Sequence, residues 1–222
     1  MSATLHCPLC GGDTVSDYHR DRNRSYLQCD GCALVFVPPE YHLGAAAEKA
    51  EYDLHENHVD DPGYRRFLAR LQQPLSARLV PGAEGLDFGC GPGPALAAMM
   101  HESGFAMALY DCFYYPDRIV LNRQYDFVCA TEVVEHLHQP GIELDRLWGC
   151  LKTGGHFGVM TKLVRDVRAF AGWHYKNDPT HVCFFSIETW QWWAQQRGAG
   201  LALEGADVIL LHKTSTDHAL DL

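Results

Sequence analysis

Long apolar runs are missing from this 222-residue chain: no stretch approaches the roughly 20 apolar residues that span a bilayer. A basic segment followed by an apolar core is missing as well. Met1-Ser-Ala-Thr-Leu-His-Cys7 has neither part, so no secretory leader is expected and a cytoplasmic location is the default. Positive charge is scarce: 18 Lys and Arg stand against 28 Asp and Glu, a net charge of −10 with His neutral, and the basic residues gather into no patch. Nucleic-acid-binding faces carry an excess of Lys and Arg, so the balance argues against a nucleic-acid partner and for a small molecule or a protein. At 47% hydrophobic and 21% charged residues, the composition is that of a soluble globular chain. The length suits one α/β domain with a small appendage, and nothing in the sequence signals an oligomeric state.

Cysteine, by contrast, is abundant, with nine in the chain. Four of them form two pairs, Cys7-Pro-Leu-Cys10 and Cys29-Asp-Gly-Cys32, with 18 residues between the pairs. A tight turn brings residues i and i+3 together on one metal, and two such knuckles at this separation match the spacing of a zinc site. Cys7, Cys10, Cys29 and Cys32 are therefore the expected ligands. Four thiolates leave no position open for water, so the zinc is expected to be structural, and it supplies stability that a forty-residue segment lacks. Ala33-Leu-Val-Phe-Val37 reads as a strand beside the second knuckle, which completes the layout of a zinc ribbon over residues 1–39. Arg20, Arg22 and Arg24 alternate with Asp17 and Asp21 between the knuckles. With three basic residues against five acids over residues 1–40, they are expected to be a solvated hairpin, and the ribbon to pack or cover substrate.

Pro38-Pro39 ends the ribbon. Residues 40–82 read as a connector, polar at first (Tyr41, Tyr52, Asp53, His55, His58) and helical from Pro62. Tyr64, Phe67, Leu68, Leu71, Leu75 and Leu79 recur at spacings of three and four and form one apolar stripe. Pro74 is a possible kink, and Pro81-Gly82 closes the helix.

Residues 83–214 carry the pattern of a doubly wound α/β domain. Gly85-Leu-Asp-Phe-Gly89 is a short strand running into Gly89-Cys-Gly91-Pro-Gly93, and Pro94-Ala-Leu-Ala-Ala-Met-Met-His-Glu-Ser103 follows as a helix. Strand, glycine loop and helix build a ligand site at the carboxyl edge of a parallel sheet. The third glycine comes one position too early for the dinucleotide fingerprint and is followed by proline, so a pyrophosphate ligand is disfavoured. Met107-Ala-Leu-Tyr110 ends in Asp111, Tyr125-Asp-Phe-Val-Cys-Ala-Thr131 runs into Glu132-Val-Val-Glu-His136, and a glycine pair at 154–155 opens a strand to Met160.

Asp87-x-Gly-x-Gly-x-Gly93, Asp111 and the 125–136 segment together resemble class I S-adenosylmethionine-dependent methyltransferases, over residues 85–162. The resemblance implies a Rossmann-like sheet and a cofactor held by Asp87, Gly89, Cys90, Gly91, Gly93, Asp111, Thr131 and Glu132. In that family an acid at the place of Asp111 binds the ribose hydroxyls, and the helix before the sheet folds over the cofactor. The interval 112–124 departs from the pattern. Thirteen residues are too few for the usual helix and third strand, so either the helix is missing or Arg118-Ile-Val-Leu121 is a remnant strand. Phe113, Tyr114 and Tyr115 are then the candidates to cover the adenine, or simply core packing.

Beyond the fifth strand, Asp178-Pro-Thr-His181 resembles a segment found at the acceptor pocket in a branch of bacterial methyltransferases. Methyl transfer is an in-line displacement in which the enzyme positions the acceptor and, for oxygen or nitrogen, removes a proton. His181, held by Asp178 or a backbone carbonyl, is the first candidate base, and His136 the second; structural hydrogen bonding is the plainer role for both. Glu132, Glu135, His136 and His138 are also a possible divalent-cation set. Ser186 is expected to cap a helix containing Trp190, Trp192 and Trp193, which read as packing residues. Leu201–Glu204 and Val208–Lys213 read as a closing hairpin, and residues 215–222 as a frayed tail. The expected function is methyl transfer to a small-molecule acceptor at O, N or C. An RNA or protein methyltransferase docking through the ribbon, and a non-catalytic adaptor of the same fold, are the alternatives.

Overall fold

The computed structural model describes residues 5–54 and 58–214; His55 and the expected tail at 215–222 lie outside them. Strands β1 (Val15–Arg20), β2 (Ser25–Cys29) and the two-residue β3 (Val35–Phe36) open the chain. Helices α1 (Ala45–Tyr52) and α2 (Pro62–Ser76) lead to β4 (Glu84–Phe88). Then follow α3 (Ala95–Glu102), β5 (Ala106–Tyr110), β6 (Tyr125–Thr131), α4 (Pro140–Gly149) and β7 (Leu151–Met160). The short helix α5 (Val167–Ala171) and strand β8 (Cys183–Phe184) precede α6 (Ile187–Gln196) and the hairpin β9 (Gly200–Glu204) and β10 (Val208–His212).

Six strands form the central sheet in the order β5-β4-β6-β7-β10-β9. The first four are parallel, and β10 runs antiparallel to both β7 and β9. This is the expected Rossmann-like architecture. Strand β6 alternates between two cores: Phe127 and Cys129 face α2 and α3, while Val128 and Ala130 face the side that also holds Leu144, Leu147 and Trp193. A strand covered on both faces has no polar side, which is why 125–131 is apolar almost throughout. On α2, the stripe buries Leu68, Leu71 and Leu75 completely, each contributing about 2 kcal/mol of transfer free energy. Asp61 caps that helix by accepting from the Tyr64 amide at 2.6 Å, and Pro74 falls inside it without ending it. Ser186 caps α6 through a reciprocal bond with Thr189, and Trp190 and Trp193 are fully buried.

The remnant third strand is not formed. Arg118–Asn122 is a 3-10 turn, started by Asp117 accepting from the Ile119 amide at 2.9 Å. Thirteen residues suffice to cross from β5 to β6 through one buried anchor, Leu121, and no more, so β5 is an edge of the sheet.

The cysteine segment forms a second sheet, in the order β1-β2-β3-β8. The expected strand at 33–37 shortens to Val35–Phe36, and it pairs with Cys183 and Phe184 from the far end of the chain. Among the described residues no helix is long and apolar enough to cross a membrane.

Candidate active site

Strand β4 ends at the glycine loop. Gly89 has φ +73°, and a Cβ there would meet Val133 Cγ2 at 2.4 Å, so both the backbone angle and the neighbour require glycine. Gly91 has φ +64° with open space before it. Asp87 is buried beneath the loop, and its Oδ1 has no hydrogen-bond partner. Burial pushes its carboxyl up to about 7, and the nearby Asp111 adds to the effect. Asp111, at the end of β5, accepts from the Gly91 amide at 3.0 Å through Oδ2 and from the Phe113 and Tyr114 amides through Oδ1. It therefore fixes the loop, and Oδ2, which accepts only one amide, keeps acceptor capacity for another donor. Cys90 is buried in the same loop, Gly93 stands just before α3, and Thr131 is the last residue of β6.

The expected cofactor residues thus meet at the carboxyl edge of the parallel strands. Tyr64 joins them. Its phenol is pushed up to about 12 by burial, with Asp87, Glu132 and Cys90 as its acidic neighbours. Sequence reasoning placed Tyr64 only in the apolar stripe of α2, although its position at the helix start was the available signal.

Glu132 follows β6 with φ +53°, an uncommon angle for a residue with a side chain. That turn sends the chain back into a 3-10 turn at Val134–His136, rather than the helix that would put 132, 135 and 136 on one face. Glu135 is completely buried; its carboxyl accepts from the Tyr175 hydroxyl and, at 3.0 Å, from Thr161 Oγ1. Tyr175 also reaches Glu132 Oε2 at 3.4 Å, while Glu132 Oε1 is buried without a partner. Burial raises both carboxyls above the usual range.

His181 Nδ1 lies 2.7 Å from the Tyr175 carbonyl. A carbonyl only accepts, so Nδ1 carries the proton in the neutral ring and Nε2 keeps its lone pair. Asp178 Oδ2 is 3.7 Å from Nε2, and the His136 ring stands edge-on to His181 with centroids 4.6 Å apart. Burial holds the His181 pKa below its ordinary value. The two candidate bases are therefore neighbours. The cation set changes: His138 instead pairs with Glu48 at 3.2 Å and packs on His42, whereas Glu135, His136 and His181 bring their ligand atoms within 4.8 Å of one another. Tyr175 and Thr161 each donate to one Glu135 oxygen, which ties this trio to the 161–175 segment.

The connector reaches the same cleft. Tyr52 stands edge-on to His136 and packs near Phe113, with centroids 5.2 and 5.8 Å away. The Tyr114 hydroxyl donates to Asp53 at 2.6 Å, and Lys49 pairs with the same carboxylate. The end of α1 is thus latched to the 112–115 turn, where a longer chain would have placed another helix. Tyr52 and Tyr175 carried no sequence signal beyond aromatic density.

In the N-terminal sheet, Cys7, Cys10, Cys29 and Cys32 bring their sulfurs within 4.8 Å of one another. Cys7 and Cys32 are 3.5 Å apart, and Cys10 and Cys29 are 3.4 Å apart. A tetrahedral zinc with bonds of about 2.3 Å separates its sulfurs by about 3.8 Å, so the donor set and its dimensions fit. Between the pairs, Arg24 is not solvated as expected but buried, against the 176–179 backbone.

Residues 61–202 match the Methyltransferase domain family. The chain belongs to this family of S-adenosylmethionine-dependent methyltransferases. Among solved structures it is similar in fold to the 1,6-didemethyltoxoflavin-N1-methyltransferase of Burkholderia thailandensis, crystallised with 1,6-didemethyltoxoflavin and S-adenosylhomocysteine. That match has 16% identity, covers 90% of this chain and 99% of the other, and has a TM-score of 0.53. An O-methyltransferase family protein of the same organism matches at 13% identity and a TM-score of 0.51, over 77% of this chain and 63% of its own. At these identities the likeness is one of fold. No curated protein matches the chain.

Proposed function

We propose that this methyltransferase acts on a small-molecule acceptor at O, N or C, with His181 as the base for a protic acceptor and a structural zinc in the cysteine cluster. The observation that carries the reading is the Tyr175 carbonyl at 2.7 Å from His181 Nδ1, which leaves Nε2 free to take a proton. Bound at the glycine loop, S-adenosylmethionine supplies an electrophilic methyl group. The open space at Gly91 and the unpartnered oxygen of Asp87 are the features that suit it there. His181 Nε2 removes the proton from an acceptor hydroxyl or amine, and Asp178 stabilises the resulting imidazolium. His136 orients the acceptor alongside. His181 is only 7% exposed and Tyr175 only 6%, which supports an acceptor small enough to enter rather than a polymer. The Burkholderia thailandensis enzyme, bound to both a small heterocycle and S-adenosylhomocysteine, supports the same class.

Calorimetric titration with S-adenosylhomocysteine tests the cofactor assignment, and the absence of heat removes it. Metal analysis of protein purified without chelator tests the zinc, for which about one equivalent per chain is expected.

A further inference from the structure

The cysteine pairs and the Asp178-Pro-Thr-His181 segment lie far apart in sequence, yet the first supplies the polar partners of the second. Arg24 sits in the tight turn of the β1–β2 hairpin, five residues before Cys29. Its guanidinium donates to the carbonyls of Lys176, Asp178 and Pro179, the last two at 2.7 and 3.2 Å, and its Nε donates to Tyr26 Oη at 3.1 Å. Three carbonyl dipoles aimed at one point repel one another unless a cation stands among them. A planar, permanently charged fork with five N–H donors serves the three carbonyls and Tyr26 Oη together. Asp21 completes the clamp from the same hairpin: its carboxylate takes the buried Lys176 ammonium at 2.7 Å and the Tyr26 hydroxyl at 3.0 Å.

A second link runs through the backbone. The Val37 amide donates to the Val182 carbonyl, and the Val182 amide donates to the Glu135 carbonyl, both at 2.8 Å. With the β3–β8 pairing, the residue after His181 is tied to the ribbon directly, and the residue before His136 through it.

We infer that the four-cysteine ribbon is the positioning element of the acceptor site, and that Arg24 is the positioning residue that sets where His181 stands. This rests on the reading of His181 given above and extends it. The ribbon is then part of the catalytic apparatus without touching cofactor or acceptor, and metal held by the cysteines governs the shape of the 174–182 loop.

The test uses full-length, zinc-loaded protein and the variants Arg24→Ala and Arg24→Lys. Lysine keeps the charge but holds three donors on one nitrogen, too few for the three carbonyls and Tyr26 Oη together. Both variants are expected to speed amide exchange at residues 174–182 by about tenfold or more, while the amides of 86–91 keep their protection. The imidazole nitrogen shifts of His181 should change from the single Nδ1–H tautomer to a mixture, a signature that a merely stabilising residue elsewhere in the ribbon would not move. S-adenosylhomocysteine affinity should stay within about twofold of the parent, since Arg24 is remote from the glycine loop. Arg24→Lys with parental exchange and a parental His181 tautomer overturns the proposal. If Arg24→Ala fails to fold, the lysine variant and chelator-treated parent decide instead. Chelation should loosen 174–182 in the same way, and protection that survives metal removal overturns the role of the metal. A parent that gives no heat with S-adenosylhomocysteine removes the cofactor reading and leaves the loop measurement interpretable.

Discussion

The hydroxyl of Tyr175 donates to the carboxyl of Glu135 where the 174–182 loop meets the segment that follows β6. Both Glu135 and Glu132 have pKa values raised by burial, and Tyr175 counters the rise at Glu135, the carboxyl that takes its single hydroxyl proton. A carboxyl whose folded pKa exceeds its unfolded value stabilises fully below the unfolded value, and loses that contribution as pH rises through the folded one. Tyr175→Phe should therefore cost about 1–3 kcal/mol at neutral pH and more at pH 8.5 than at pH 5. Urea denaturation at the two pH values checks this; an equal loss at both removes the carboxyls from the explanation.

His181 titrates in the opposite sense. Its folded pKa is depressed, chiefly by burial, so the neutral ring is favoured and its contribution is present above the unfolded value of about 6.5. That contribution is lost as pH falls toward the folded value. His181→Gln should flatten the drop in melting temperature between pH 7.5 and pH 5.5. It should also lower turnover of a protic acceptor by about a hundredfold.

Asp87 gives a third titration. With its carboxyl raised from 3.8 to about 7, ionisation costs the ligand-free chain stability between those values, up to roughly 4 kcal/mol at pH 8. Asp87→Asn should raise the melting temperature at pH 8, leave it nearly unchanged at pH 4, and weaken S-adenosylhomocysteine binding by about tenfold. A variant that binds as tightly as the parent would take Asp87 out of the cofactor site.

For the metal, Cys29→Ser should abolish zinc retention and lower the melting temperature by roughly 10 °C, corresponding to about 3 kcal/mol or more. Metal content and melting curves of the same preparation check both parts. A stable variant that retains zinc would contradict the four-thiolate assignment.

The glycine loop and the carboxyl edge it occupies were readable because each of their marks is local. Gly89 and Gly91 are dictated by backbone angle and close approach, and Asp87 and Asp111 sit at the carboxyl ends of two strands whose apolar runs are unmistakable. The cysteine pairs were readable for the same reason. The cleft around His181 was only half readable, since His136 and His181 could be named as candidates but not the carbonyl that fixes the tautomer. Arg24 and Tyr175 were missed in their actual roles because their partners lie in distant segments. Charge counting treats an alternating run of arginines and aspartates as solvated, and it takes tertiary burial to single out one of them. The short interval at 112–124 correctly signalled a missing unit, but no rule of composition says that α1 would be latched there by Asp53 and Tyr114.

The pairing of β3 with β8 also constrains the order in which the molecule is made. Phe36 emerges from the ribosome long before Cys183, its partner in register. The cysteine hairpin can gather its ligands from the first forty residues alone, but its outer edge stays open until β8 has been synthesised. Closing so long a loop is slow and comes late. The cradle beneath His181 is therefore completed only when the hairpin meets a segment far along the chain, and a chain stalled before β8 leaves the β3 edge unpaired.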